Sequence, residues 1–273
     1  MTALALQRVV VRMLYDPALV DAVYADVAKA LVDVPLTAAE QSWLVAPDRR
    51  RWAADPLRRT RGLQALLEEF PVASALAAGP GKAGTLDAFF STPTFHDCIQ
   101  QRGSLAMAFA AFLAAHGTTV TLMARIEQAI ARVRRAPARP AIPPTPTPAS
   151  LWGRAPWADG FFAPEGALAA WQAADATLRG HAGGPVAALL DPVIAIAAPE
   201  LDPADHSESL LVERAESVGL SIAGEGLIEV LVALARPQPW AAAAAALRAA
   251  GADPGEESEL AAELLADGLL TLT

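Results

Sequence analysis

The sequence predicts a mainly α-helical protein: an N-terminal helical domain, a proline-rich linker and a C-terminal winged-helix-like α+β unit. Three observations carry this. Helical apolar spacing recurs through residues 1–135, six prolines crowd residues 136–150, and beyond residue 191 short alternating apolar runs precede three short helices. The expected division is 1–135, 136–150, a connecting arm with a helix over 151–190, and 191–273.

Leu4 to Leu14 reads as a first helix that stops at Tyr15-Asp16-Pro17. Pro17 suits a first turn, and Leu19, Val20, Val23, Val27 and Leu31 share one side of a second helix. Thr37 and Glu40 form a capping box that opens a third, and Asp55-Pro56 starts a fourth that ends at Phe70-Pro71. Phe89, Phe90 and Phe95 surround Ser91-Thr92-Pro93, and such rings are most often core. Strongly apolar Gly103–Ala115 and a helix from Val120 to Arg135 complete the domain.

Pro137, Pro140, Pro143, Pro144, Pro146 and Pro148 exclude helix and favour an extended spacer. Residues 151–190 read as an arm rich in Trp and Phe, then a helix over Glu165–Leu178. Val193–Ile196 reads as a short strand. Ser209–Arg214 and Val218–Ala223, three residues apart, read as a hairpin. Helices follow around Leu227–Leu234 and Pro239–Ala250. A last helix is capped by Asp253, with Pro254 and Glu256 in its first turn and Gly268 as its left-handed end, before a strand at Leu269–Leu272. This layout leaves a strand edge open beside the last helix, where a guest peptide can pair. The expected peptide site is Val218, Gly219, Leu220, Ser221 and Ile222, with apolar selectivity from Leu260 and Leu264.

Charge separates the halves. Residues 1–150 carry 16 Lys and Arg against 12 Asp and Glu, a surplus of 4; residues 151–273 carry 5 against 18, a deficit of 13, within a total of −9. A winged helix on DNA needs cations against phosphates, so a transcription regulator, the rival reading, is disfavoured. No apolar run has the length of a membrane span, the first residues lack a signal-peptide layout, and a single cysteine, Cys98, excludes an internal disulfide. A cytoplasmic protein is expected.

No motif assembles an active site. His96, His116, His181 and His206 show no metal-ligand spacing, and His96-Asp97-Cys98 are neighbours that cannot face one way on a helix. Cys98 lacks an indicated partner base, and a lone Cys is more often packing. No phosphate-binding glycine loop or nucleophile elbow is present. Arg49-Arg50-Arg51 and Arg58-Arg59-Arg61 read as a solvated helix face or a docking surface. A stand-alone enzyme is the remaining rival.

Several short motifs run in a recognisable order: Leu14-Tyr15-Asp16-Pro17, Leu36-Thr37-x-x-Glu40, Asp48-x-Arg50-x-Trp52-x-x-Asp55, Arg58, Arg61 and Glu69-Phe70-Pro71. Phe89-Phe90-Ser91-x-Pro93-x-Phe95-His96 and Arg102-Gly103-Ser104-Leu105-Ala106 follow. Over about residues 10–115 the chain resembles the partner subunits of multinuclear non-haem iron oxidative enzymes, of the methanobactin and thiaglutamate type. Those enzymes modify cysteines in ribosomally made peptides. The resemblance implies a non-catalytic subunit of a hetero-oligomer, without a cofactor of its own. It would present a precursor's leader peptide through a winged-helix-like recognition element to an enzyme that carries the iron. It also implies docking of that enzyme on the N-terminal domain, with Arg49, Arg50, Phe90, Phe95, His96 and Arg102 as candidate contacts. The alanine-rich C-terminal half and the long proline segment depart from a compact methanobactin-type partner.

Overall fold

Capping side chains and prolines set the helix starts of the N-terminal half. The computed structural model describes every residue except Met1, Ala54, Pro56 and Pro203, and Thr2 by its backbone only. Helix α1 (Thr2–Tyr15) stops at Asp16, whose carboxylate accepts the Ala18 N–H and starts α2 (Pro17–Ala25). The single helix expected through Leu31 is broken at Asp26. That carboxylate accepts the Lys29 N–H and opens the short α3 (Val27–Ala30). The Thr37/Glu40 capping box forms as expected and opens α4 (Ala38–Val45). The expected Asp55–Pro56 start lies partly outside the described residues; α5 (Arg58–Glu69) begins without a side-chain cap. There follow α6 (Pro71–Ala78), a 3₁₀ stretch over Ala83–Ser91, α7 (Pro93–Gln101) capped by Thr92, α8 (Leu105–Ala114) capped by Ser104, and α9 (Thr118–Arg135). Among the described residues no helix is long and apolar enough to cross a membrane.

The chain forms two units, and their limits differ from the expected ones. The first contains Met1–Ala124 and Asp175–Ala197, the second Arg125–Ala174 and Ala198–Thr273. The boundaries fall inside α9 and inside α10 (Ala167–Arg179). In the first unit, α11 (Gly184–Leu190) packs on α5 and α6. Its core is aromatic: the Phe89 ring lies 5.2–5.5 Å from those of Phe90, Phe95, Phe109 and Phe112. A second cluster joins Val9, Met13, Val20, Val23, Leu31 and Leu44.

The second unit holds two three-stranded antiparallel sheets, ordered β5-β1-β6 and β2-β3-β4. The strands are β1 (Leu151–Arg154), β2 (Ala158–Ala163), β3 (Glu208–Arg214), β4 (Val218–Ile222), β5 (Gln238–Pro239) and β6 (Leu270–Leu272). Helices α12 (Glu225–Ala233), α13 (Trp240–Ala249) and α14 (Glu257–Ala266) follow β4. The expected β3–β4 hairpin and three closing helices are present. The arm is not an arm: β2 pairs with β3 from Ala158↔Glu213 to Ala163↔Glu208, and β1 pairs with β5 and β6. Val193–Ile196 forms no strand, and it is β2 that pairs with β3. The Asp253 cap is also absent; α14 begins at Glu257, after Glu256 and without a side-chain cap.

Two glycines are needed for this packing. At Gly160 on β2 a Cβ would stand 3.1 Å from Ile228 and Leu231, so α12 lies directly on the strand. Gly268 ends α14 with φ +76°, and a Cβ there would collide with the Arg139 guanidinium. Arg139 donates to the carbonyl of Asp267 at 2.7 Å, and Arg214 donates to those of Arg134 and Pro137, so the start of the proline segment is held rather than free.

Asp159 on β2 is fully buried among arginines. Arg154 on β1 donates to its Oδ1, Arg132 Nη1 lies 2.6 Å from Oδ2, and Arg125 Nη2 lies 3.7 Å from Oδ1. Arg125 also sits over the Phe161 ring at 4.7 Å. Burial pushes the Arg125 and Arg154 guanidiniums down from their ordinary range; Asp159 opposes that and Arg132 adds to it. Removing the carboxylate leaves like charges facing one another. Asp159→Ala should therefore destabilise the unit by about 3 kcal/mol, the low end for a broken buried pair because two of the arginines keep partial access to water. Urea denaturation measures it, and a loss under about 1 kcal/mol would show that the arginines find equal partners in water.

Candidate functional site

The candidate peptide site is built from a strand edge and a groove. Strand β4 pairs only with β3, in register from Leu210↔Ile222 to Arg214↔Val218, and its other edge is unpaired among the described residues. Gly219, Ser221 and Ile222 are exposed, Ile222 by 60%, and Val218 and Leu220 are half-buried. A Cβ at Gly219 would meet open space. Strand β2, the other edge of the sheet, is buried beneath α12. The accessible row of unpaired N–H and C=O groups is therefore on β4.

Leu260 and Leu264 line a groove of about 610 Å³, but its opposite wall is α12, through Leu227 and Val230, and β4 contributes no lining residue. The expected pairing of these leucines with the strand edge is thus corrected: the turn after β4 leads straight into α12, and that helix faces α14. Asp253, Glu256, Glu259 and Glu263 rim the groove. Leu227 and Val230 were visible as helical spacing in the sequence; that they face α14 was not.

The candidate docking residues of the first unit divide into surface and core. Arg49 pairs with Asp21, both more than half exposed, a contact that contributes little. The Arg50 side chain has no ion pair among the described residues, and it lines, with Asp48, Trp52 and Tyr15, a cleft of about 620 Å³. Phe90 and Phe95 are 1% and 0% exposed, so as surface contacts they are corrected: the aromatic core takes their rings. Arg102 is exposed and holds φ +55°, ending α7 in the left-handed conformation while the Gly103 N–H donates to the Cys98 carbonyl at 2.8 Å. Arg58 and Arg59 are not a merely solvated face; they donate to the Leu14 and Tyr15 carbonyls at the end of α1, at 3.1 and 3.0 Å.

His96 belongs to a partly buried network around the buried Asp16 carboxylate. Its Nε2 lies 3.0 Å from Asp16 Oδ2, off the line that a straight hydrogen bond prefers, and Arg12 Nη2 lies 3.4 Å from Nδ1. Ser91 Oγ donates to Asp16 Oδ1 at 3.1 Å. The network ties α1, the cap of α2 and the start of α7. Cys98 is buried, and burial pushes its thiol up, away from the thiolate that nucleophilic chemistry requires. Among the described residues no three His, Cys, Asp or Glu side chains gather as a metal-ligand set.

Burial raises the Asp16 carboxyl, but the close approach of His96, the Ser91 hydroxyl and the Ala18 N–H together outweigh it and hold the group below its ordinary value. A depressed carboxylate adds stability that is present above its unfolded value and lost as pH falls through the folded one. Asp16→Asn should therefore be less stable than the parent at neutral pH, with the gap closing as the medium is acidified below the usual carboxylate range. Thermal melts across acidic pH measure this; a gap that stays constant would assign the loss to packing.

No protein-family model matches the chain, and neither a characterised protein nor a solved structure does.

Proposed function

We propose that this chain is a non-catalytic, cytoplasmic partner protein that binds a ribosomally made precursor peptide and presents it to a multinuclear iron oxygenase. The iron and the oxidation of the peptide cysteine belong to that enzyme. The observation that carries the reading is the exposed, unpaired edge of β4 in a sheet followed by three helices, an arrangement that suits a winged-helix-like peptide-recognition element. A guest strand along Val218–Ile222 would satisfy its own backbone groups and those of the edge. The sequence motifs of the first unit support the choice of partner, and its cleft beside Arg50 is the proposed enzyme contact. The acidic rim around Leu260 and Leu264 favours a leader with basic residues and disfavours DNA.

Ile222→Pro removes a backbone donor at the exposed end of the edge and should weaken leader binding by about tenfold or more while circular dichroism stays native. Titration with a fluorescent leader peptide of the proposed precursor measures it. Unchanged affinity in the folded variant would exclude this edge. Arg50→Glu should reduce co-purification of the full chain with the proposed iron oxygenase partner and leave leader affinity unaltered. Full recovery of the complex would place the enzyme contact elsewhere.

A further inference from the structure

We propose that a separate cleft in the first unit binds a small apolar carboxylate through Arg8, Arg12 and Gln100. The cleft, about 510 Å³, is bounded by α1, the segment that follows α3, and α7. Arg8 and Arg12 are one helical turn apart on α1 and line it together. Gln100 enters from α7.

Three donor atoms of this cleft have no acceptor among the described residues. Arg8 Nε, Arg12 Nε and Gln100 Nε2 are buried without a hydrogen-bond partner. Among the described residues the Arg8 and Gln100 side chains make no hydrogen bond or ion pair, and Arg12 has only the 3.4 Å contact with His96. A buried donor left unsatisfied costs about 1–3 kcal/mol, and more when charged, so three beside one cleft call for an acceptor from outside the chain. All three groups are donors, which selects an oxyanion, and guanidinium groups match a carboxylate in pairs.

Charge and shape narrow the class. Asp33 and Asp97 line the same cleft, neither within ion-pair distance of Arg8 or Arg12. Two aspartates against two arginines leave the cleft formally neutral, which accommodates one negative charge and opposes a phosphate dianion. Leu4, Leu31 and Val34 supply apolar wall for the ligand's body. Burial already lowers the Arg12 guanidinium, with Asp97 and Asp16 opposing, and a bound carboxylate would add to that opposition.

Isothermal titration of the full chain with isocaproate tests this, with isoamylamine and inorganic phosphate run alongside at constant ionic strength. Isocaproate should bind saturably, and neither other probe should compete with it. Arg8→Met keeps the apolar stem and removes the orphan charge. It should weaken isocaproate by about tenfold or more without lowering the thermal midpoint, whereas a merely structural arginine would lower the midpoint. Gln100→Leu should also weaken it, and decides the matter if Arg8→Met does not fold. No saturable isocaproate binding, equal binding by a folded Arg8→Met, or phosphate or amine binding as tightly as isocaproate would each overturn the proposal.

Discussion

The second unit depends on one buried carboxylate. Asp159 sits on β2 with no access to water, and its oxygens are shared among Arg154 on β1 and Arg125 and Arg132 on α9. One side chain thereby joins both sheets and the end of a long helix. A buried carboxylate needs partners or it is strongly unfavourable, and arginines brought together need an anion or they repel. Each side supplies what the other lacks. The gap left by Gly160, the residue after Asp159, admits α12 onto the same strand. The position of β2 therefore fixes the β2-β3-β4 order and leaves β4 as the open edge.

The two faces of the candidate peptide site differ in physical character. The β4 edge offers backbone groups, which recognise any extended chain and give little sequence preference. The groove between α12 and α14 offers leucine and valine side chains inside a ring of carboxylates, which selects apolar and basic residues. Under the proposed function, their separation by the turn into α12 would give pairing and selectivity to different parts of a guest peptide.

Many motif residues on which the family resemblance rests hold the first unit together. Asp16 caps α2 and receives Ser91, Thr37 and Glu40 close a capping box, Phe90 and Phe95 are core, and Arg58 holds the end of α1. In this chain those residues serve the helical scaffold first. Arg50 and Arg102 are among the motif members whose side chains stay exposed.

Local rules were legible in the sequence. The Thr37 box, the Pro17 start, the left-handed end at Gly268, the three-residue hairpin and the apolar spacing of α12 to α14 all depend on neighbours within a few residues, and they formed where expected. The unpaired β4 run was legible for the same reason. What failed depended on partners far along the chain. The runs within residues 151–163 are short and interrupted by Gly153, Pro156 and Gly160, so they do not announce strands by themselves, and only pairing with β3, β5 and β6 makes them so. The helix that faces Leu260 and Leu264, the burial of Phe90 and Phe95, and the gathering of three arginines around Asp159 are likewise decided by packing. The sequence by itself determined where the chain can turn and which faces are apolar. Tertiary structure alone decided which faces meet, because burial and pairing energies depend on groups that lie far apart in the chain.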